Sequence, residues 1–334
     1  MTLRELPLTA YLLCASLQLE AAPPPGYYDS AQEKAGLALR QALHDTIKAH
    51  TVILYESSNS VDSVDALKDL DQDPANTNNV ILIYSGWSVP KTNYDTGWNR
   101  EHLWPNSYGF DIDATTTWPA LRDLFNLRPC DSRVNSSRGN KYYDFSDPSD
   151  RNYRDSAHAS APLCSTDTDS WAPPNAMIGD IARAMFYMDV RYAGEFEKEP
   201  DLALADDVGS IVSGNPFMGR LATLLLWHRN DPVDDAERRR NDLIFERYQH
   251  NRNPFVDHQE WVDLIYLPML FIAAQSNGVT LSWEARWTNV VLETAPQLAS
   301  AWSPFPIAPT INSDQLDVSV TSTNAQQFFR LKSR

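Results

Sequence analysis

Apolar positions recur at helical spacing in the first three quarters of the chain and alternate in the last. Within residues 31–50, Leu39, Leu43 and Ile47 share one face, which predicts an amphipathic helix. "NNVILIYSGW" follows an Asp, Pro and Asn cluster and predicts a buried strand. "IGDIARAMFYMDVRY" sets Ile178, Ile181, Met185 and Met188 on one helix face and Asp180, Arg183, Tyr187 and Arg191 on the other. "DDAERRRNDLIFERYQHN" predicts a further helix that opens on an Asp cap, and "HQEWVDLIYL" one that stops or bends at Pro268. Residues 130–175, rich in Asp, Ser, Arg and Pro, should be mostly loop. Beyond residue 276 the pattern changes to short alternating runs, "VTLSWEA", "WTNVVLET", "LDVSVTS" and "QQFFRLKS". They predict a small all-β unit over residues 277–334, marginal in size for folding alone and so expected to pack on a main domain spanning 23–276.

The first residues read differently. Arg4 precedes an apolar run from Leu6 to Leu19, and small residues follow at Ala21 and Ala22, so residues 1–22 are expected to be an export signal peptide. The run is short for a spanning helix. Leu13 ahead of Cys14 is larger than a lipid-anchoring signal would want. Cleavage would leave Cys130 and Cys164, and two cysteines in an exported protein are expected to pair as a disulfide. The chain has 334 residues, 44 Asp and Glu against 28 Lys and Arg, and a net charge of -16. That field repels polyanions, so a nucleic-acid partner would need a local cation or basic groove and salt-sensitive binding.

The chemistry concentrates around "GWNREHLWPNSYGF". His102 can take a proton from water at neutral pH, and Glu101 beside it can hold a hard divalent cation through oxygen. Adjacent residues of a regular strand face opposite ways, so the strand is expected to bend or end there, with Pro105 helping to stop it. "DLFNLRPCDSRVNSSRGNKYYDF" adds Asn140 as a neutral oxygen ligand, in a stretch that also carries Arg133, Arg138 and Lys141. Arg138 and Lys141 are candidates for substrate phosphate. Arg183 fits either a phosphate contact or an internal pair with Asp180. "ERRRND" reads as a salt-bridged helix face with Asp235 and Arg239 at pairing distance, and His250, Asp257 and His258 as a structural loop.

Taken together, "NREHLWPNS", "DLFNLRPCDSRVNSSRGNKYYDF", "GDIARAMFYM" and "WHRNDPVDDAERRRNDLIFERYQHNRNPFVDH" resemble, in order, the blocks of the endonuclease I family. These are secreted or periplasmic nucleases with a ββα-metal site. The resemblance covers roughly residues 26–275. It implies an α+β nuclease domain of mixed helix and sheet with a ββα-metal active site. It further implies a divalent-metal-dependent endonuclease acting on DNA, with RNA left open, with little sequence specificity and leaving 5′-phosphate ends. It carries the general-base role to His102 and the metal-ligand roles to Glu101 and Asn140, with Mg²⁺ as the expected ion and Mn²⁺ or Ca²⁺ as alternatives. The family pattern usually has His where this chain has Phe125, which removes a supporting hydrogen bond.

A zinc peptidase lacks its His-Glu-x-x-His pattern here, and a serine hydrolase its Gly-x-Ser-x-Gly. The rival from another class is a secreted binding or attachment protein with an inactive nuclease-like domain. The expected protein is a periplasmic or extracellular monomer with a nucleic acid as substrate, no stable protein partner and no membrane attachment once the signal is removed.

Overall fold

The computed structural model describes residues 22–110, 118–196, 199–321 and 326–333, so the expected signal peptide, Cys14 included, lies outside the described residues apart from Ala22. Helix α1 (Gly36–Ile47) buries Leu39, Leu43 and Ile47, as their spacing requires. Helix α2 (Ser63–Leu70) opens on Asp62, whose carboxylate accepts from the Val64 and Asp65 amides. Strands β1 (Asn79–Ile81) and β2 (Ser88–Pro90) form a short antiparallel hairpin. The expected buried strand is therefore brief, and Leu82, Ile83 and Tyr84 enter the core as irregular chain.

Strand β3 (Trp98–His102) pairs antiparallel with β4 (Leu127–Asp131), with Glu101 opposite Arg128 and His102 opposite Leu127. Helix α3 (Ser132–Arg138) starts directly from β4, because Asp131 caps it by accepting from the Arg133 and Val134 amides. A helix thus lies where loop was expected. α3 buries only Val134 and Arg138, too few apolar positions to register as a helix by periodicity. Strands β5 (Tyr142–Tyr143), β6 (Ser165–Thr166) and β7 (Ser170–Ala172) make a small sheet in the order β5-β7-β6.

Helix α4 (Ile178–Arg191) runs through the main core, and all its residues except Asp180 are buried. Its predicted polar face is not a solvent face. Arg183 meets Glu237, the Tyr187 hydroxyl meets Asp123, and Arg191 meets Glu199 and His50. Strands β8 (Ala203–Leu204) and β9 (Phe217–Met218) pair in parallel, and α5 (Leu221–Asn230) packs along α4. Helix α6 (Asp235–Leu243) opens on the expected Asp cap, Asp234, and continues as a π-helical turn from Ile244 to Tyr248. Helices α7 (Pro254–Asp257) and α8 (Glu260–Tyr266) follow, and α8 ends two residues before Pro268. No helix among the described residues is long and apolar enough to cross a membrane.

The remaining elements are strands: β10 (Phe271–Gln275), β11 (Gly278–Glu284), β12 (Val290–Ala295), β13 (Ser303–Pro304), β14 (Thr310–Asn312), β15 (Gln315–Thr321) and β16 (Phe328–Ser333). They form antiparallel sheets in the orders β10-β11-β15-β14 and β13-β12-β16. Leu281, Trp283, Val290, Leu292 and Val318 are buried there in a cluster of their own. Pairing begins at Phe271, ahead of residue 277. The whole is a mixed helix and sheet architecture.

These strands touch the helical part at two helix ends. Ala35 gives α1 no side-chain cap. Instead Glu284 Oε1 accepts from the Leu37 amide at 2.6 Å. Gly36, at φ +59°, makes room, since a Cβ there would collide with the Glu284 carboxylate. Arg286 donates to the Ile265 carbonyl near the end of α8 at 2.7 Å and to Glu284 Oε2 at 2.7 Å. An anion at a helix N-terminus and a cation at a C-terminus both match the helix dipole.

Two outcomes are expected. Glu284→Ala should destabilise the protein by about 1 kcal/mol, the usual worth of an N-terminal cap, read as a lower thermal midpoint; an unchanged midpoint would remove the cap. The second concerns His50, which is buried, faces Asp123 at 3.8 Å and accepts from Arg191 Nε at 2.9 Å. Burial first, then Arg191 and Arg122 against the pull of Asp123, takes its pKa down to about 4 from 6.5. The unfolded chain therefore binds the proton first, and stability held above pH 6.5 is lost as the pH falls toward 4. His50→Gln should flatten that part of the stability curve measured by denaturant titration, and an equally steep decline would assign it to other groups.

Candidate active site

Glu101 and His102 close β3, and the structure ends the strand at His102. Their side chains take separate surroundings. Glu101 is 1% exposed. Its Oε1 accepts from the Tyr84 hydroxyl at 2.7 Å and from Arg138 Nη1 at 3.2 Å. Both hydrogen bonds described for it fall on that one oxygen, which leaves Oε2 for another partner. Burial raises the carboxyl above its ordinary range, against the pull of Arg138 and Tyr84. A cation on Oε2 would oppose that shift.

His102 is half-buried. Its Nε2 lies 3.0 Å from the Leu121 carbonyl, contributed by a 3₁₀ turn, Pro119–Arg122. A carbonyl only accepts, so the neutral ring carries its proton on Nε2 and leaves a lone pair on Nδ1. Burial lowers the pKa to about 4, with the Leu121 bond pulling upward and Arg100 and Arg138 pushing further down. The ring is neutral at pH 7. Tyr55 stacks on it at 6.0 Å between centroids and 18° between planes, and the Arg100 guanidinium lies 3.5 Å over the Tyr55 ring.

Asn140 is exposed and follows Gly139, whose φ of +61° turns the chain out of α3. Its Nδ2 donates to Ser107 Oγ at 3.1 Å. Glu101 and Asn140 offer oxygen alone, the donor chemistry of a hard divalent cation that keeps several waters. Among the described residues, one His and carboxylate group brings three ligand atoms together: His44, Asp45 and Glu195. The Lys48 ammonium already bridges it, 2.7 Å from Asp45 and 2.8 Å from Glu195. That group is an ion-pair cluster with its cation built in.

Three candidates from the sequence take other duties. Arg138 is 1% exposed and does not reach outward. Its Nη1 donates to Glu101 and to the His102 carbonyl at 2.9 Å, its Nη2 donates to the Leu103 carbonyl at 2.9 Å, and the guanidinium covers the Tyr143 ring. It ties α3 to β3 and leaves no fork for a phosphate. Lys141 donates to Thr166 Oγ1 and to the Asp167 carbonyl, both at 2.7 Å, pinning the chain to β6. Arg183 is 0% exposed, doubly bonded to Glu237 and bonded to the Asp231 carbonyl, with Asp180 at 3.6 Å, so the internal-anchor alternative describes it.

Cys130 and Cys164 are free thiols, both fully buried, so the expected disulfide is not formed. Burial raises both thiols, Cys164 to about 12, which leaves no thiolate to react. In "ERRRND" the observed pair is Asp235 with Arg238 at 3.0 Å, because Arg240 turns inward to Asp71 and Arg239 reaches the Leu70 carbonyl. Asp257 is bound by Arg252 and Tyr28, His258 by Glu260, and His250 by the Phe245 carbonyl, a structural set. Phe125 is buried against Tyr187 at 4.4 Å. Sequence reasoning did not find Tyr84, Tyr55 or the Leu121 carbonyl. Only the spatial neighbourhood of Glu101 and His102 marks them.

The sequence pattern of a family described as endonuclease I matches residues 35–260. Two relatives named extracellular ribonuclease are similar to the chain. The Bacillus subtilis (strain 168) protein is 43% identical over 258 residues, covering 75% of this chain and 83% of the relative. The Bacillus amyloliquefaciens protein is 44% identical over 243 residues, covering 72% of this chain and 78% of the relative.

Arg138→Met separates a buried tie from a substrate contact. Breaking a buried ion pair from one side should cost about 3–5 kcal/mol of stability, seen as a lowered unfolding midpoint. A group that only touched substrate would leave the midpoint alone and raise KM.

Proposed function

This chain belongs to the endonuclease I family, and from that premise we propose that it is a secreted, divalent-cation-dependent endonuclease. It hydrolyses phosphodiester bonds of RNA as well as DNA with little sequence discrimination and leaves 5′-phosphate ends. The relatives' name supports both export and action on RNA. Residues 1–22 serve as the export signal, residues 23–276 as the nuclease domain and residues 277–334 as an accessory β unit.

The observation that carries the reading is the set of hydrogen-bond contacts at the end of β3. His102 has Nε2–H committed to Leu121 and Nδ1 bare, beside a buried carboxylate with one oxygen uncommitted. His102 accepts the proton of the attacking water at Nδ1. The Leu121 carbonyl then stabilises the imidazolium through Nε2–H, and the stacked Tyr55 holds the ring plane. Glu101, through Oε2, and Asn140, through its amide oxygen, would hold the cation, with Mg²⁺ as the expected ion. Such a cation supplies positive charge to the phosphate and to the departing 3′ oxygen. Arg138 and Tyr84 keep Glu101 Oε1 occupied, so a single oxygen is presented. The strands β3 and β4 and helix α3 form the ββα unit of this site.

The test separates base from ligands, with supercoiled DNA and RNA as substrates and Mg²⁺ varied. His102→Ala should lower kcat on the order of 10²–10⁴-fold, with the Mg²⁺ dependence unchanged. Glu101→Ala and Asn140→Ala should recover in part at raised Mg²⁺. Rescue of His102→Ala by metal, with none for Glu101→Ala, would reverse the roles, and three active variants would place the site elsewhere.

A further inference from the structure

The carbonyl that holds His102 belongs to a short turn. It spans Pro119–Arg122 and has no side-chain cap of its own. What holds it is Asn126, which is 0% exposed. Asn126 Oδ1 accepts from the Trp104 amide at 2.7 Å. Its Nδ2 donates to the Trp104 carbonyl at 3.3 Å and to the Ala120 carbonyl at 3.0 Å. Its own carbonyl accepts from the Leu103 amide at 2.9 Å. One side chain therefore joins the residues just after His102 to the residue just before Leu121. The amide orientation is unambiguous, because only Oδ1 can meet an N–H and only Nδ2 can meet two carbonyls.

We propose that Asn126 is the positioning residue that sets the tautomer of His102, by locking the Leu121 carbonyl in line with Nε2. The logic is geometric. The described hydrogen bond of the His102 ring is the one to Leu121. If the Ala120 carbonyl is released, the adjoining Leu121 carbonyl shifts with the turn, Nε2 loses its acceptor, and the two neutral tautomers become closer in energy. Each molecule with its proton on Nδ1 has no lone pair facing the water to be deprotonated. Asn126 itself touches neither substrate nor cation. Neither an acidic nor an apolar side chain reproduces these bonds. Asp keeps the bond from Trp104 but sets a charge against two carbonyls, and an apolar residue orphans three buried groups.

This inference rests on His102 as the base, and the experiment keeps the two apart. Nitrogen NMR of protein with labelled histidines reads the protonation of each ring nitrogen directly, without metal or substrate, and His102→Ala assigns the signals. The wild-type protein should show a protonated Nε2 and a bare Nδ1 for His102; a protonated Nδ1 would overturn the inference at once. Asn126→Asp should give an averaged pair of signals for His102. It should also lower kcat on the order of 10²-fold, the scale of a small misplacement of a reacting group, with KM nearly unchanged. Asn126→Ser, which buries no charge, serves if the aspartate variant does not fold. A folded Asn126 variant whose His102 signals match wild type sinks the inference while the base assignment stands. Full activity in His102→Ala sinks the base assignment, whatever the tautomer.

Discussion

The buried pair of Arg138 and Glu101 is the constraint on which the candidate site depends. One guanidinium, supplied by the last residue of α3, reaches across to β3 and meets the Glu101 carboxylate and the carbonyls of His102 and Leu103. Neither charge is exposed by more than 1%. An unpaired charge at that depth would be strongly unfavourable, so each group requires the other. The pair thus holds the helix against the strand and fixes which oxygen of Glu101 remains open. Tyr84 and Tyr143, hydroxyl to hydroxyl at 2.8 Å, complete the polar lining.

The same economy of cations runs through the main core and bears on how a protein of net charge -16 would handle phosphate. Arg183 is spent on Glu237, Arg191 on Glu199, Arg252 on Asp257 and Asp242, and Arg240 on Asp71. These arginines neutralise internal carboxylates and cannot also clamp a substrate. A cation bound at the site would add positive charge that these four arginines do not offer. That fits the oxygen-only donors Glu101 and Asn140, and predicts the salt sensitivity of a site working against its own protein's field.

The C-terminal strands lie outside the stretch matched to the family, 35–260, yet they are joined to it by chemistry rather than by a bare linker. Glu284 supplies the cap that α1 lacks, and Arg286 satisfies a carbonyl near the end of α8. Their own core of Leu281, Trp283 and Val318 is small. Such a unit gains stability from the helices and gives some back.

By itself the sequence determined the elements whose signal is local. Leu39, Leu43 and Ile47 repeat every turn and form one buried face of α1; Asp234 caps α6; Pro268 follows the end of α8; alternation after residue 276 becomes strands. The adjacency of Glu101 and His102 was legible for the same reason, since neighbours in sequence are neighbours in space. Tertiary structure decided everything that depends on a partner distant in the chain. Nothing local distinguishes Arg138, Lys141 and Arg183 from surface cations. Their roles were set by Glu101, Asp167 and Glu237, brought to them by folding. Cys130 and Cys164 were likewise placed by packing, as buried thiols rather than a bridge. The tautomer of His102 lies furthest from the sequence, because it turns on one carbonyl of Leu121 whose position is an outcome of the whole fold.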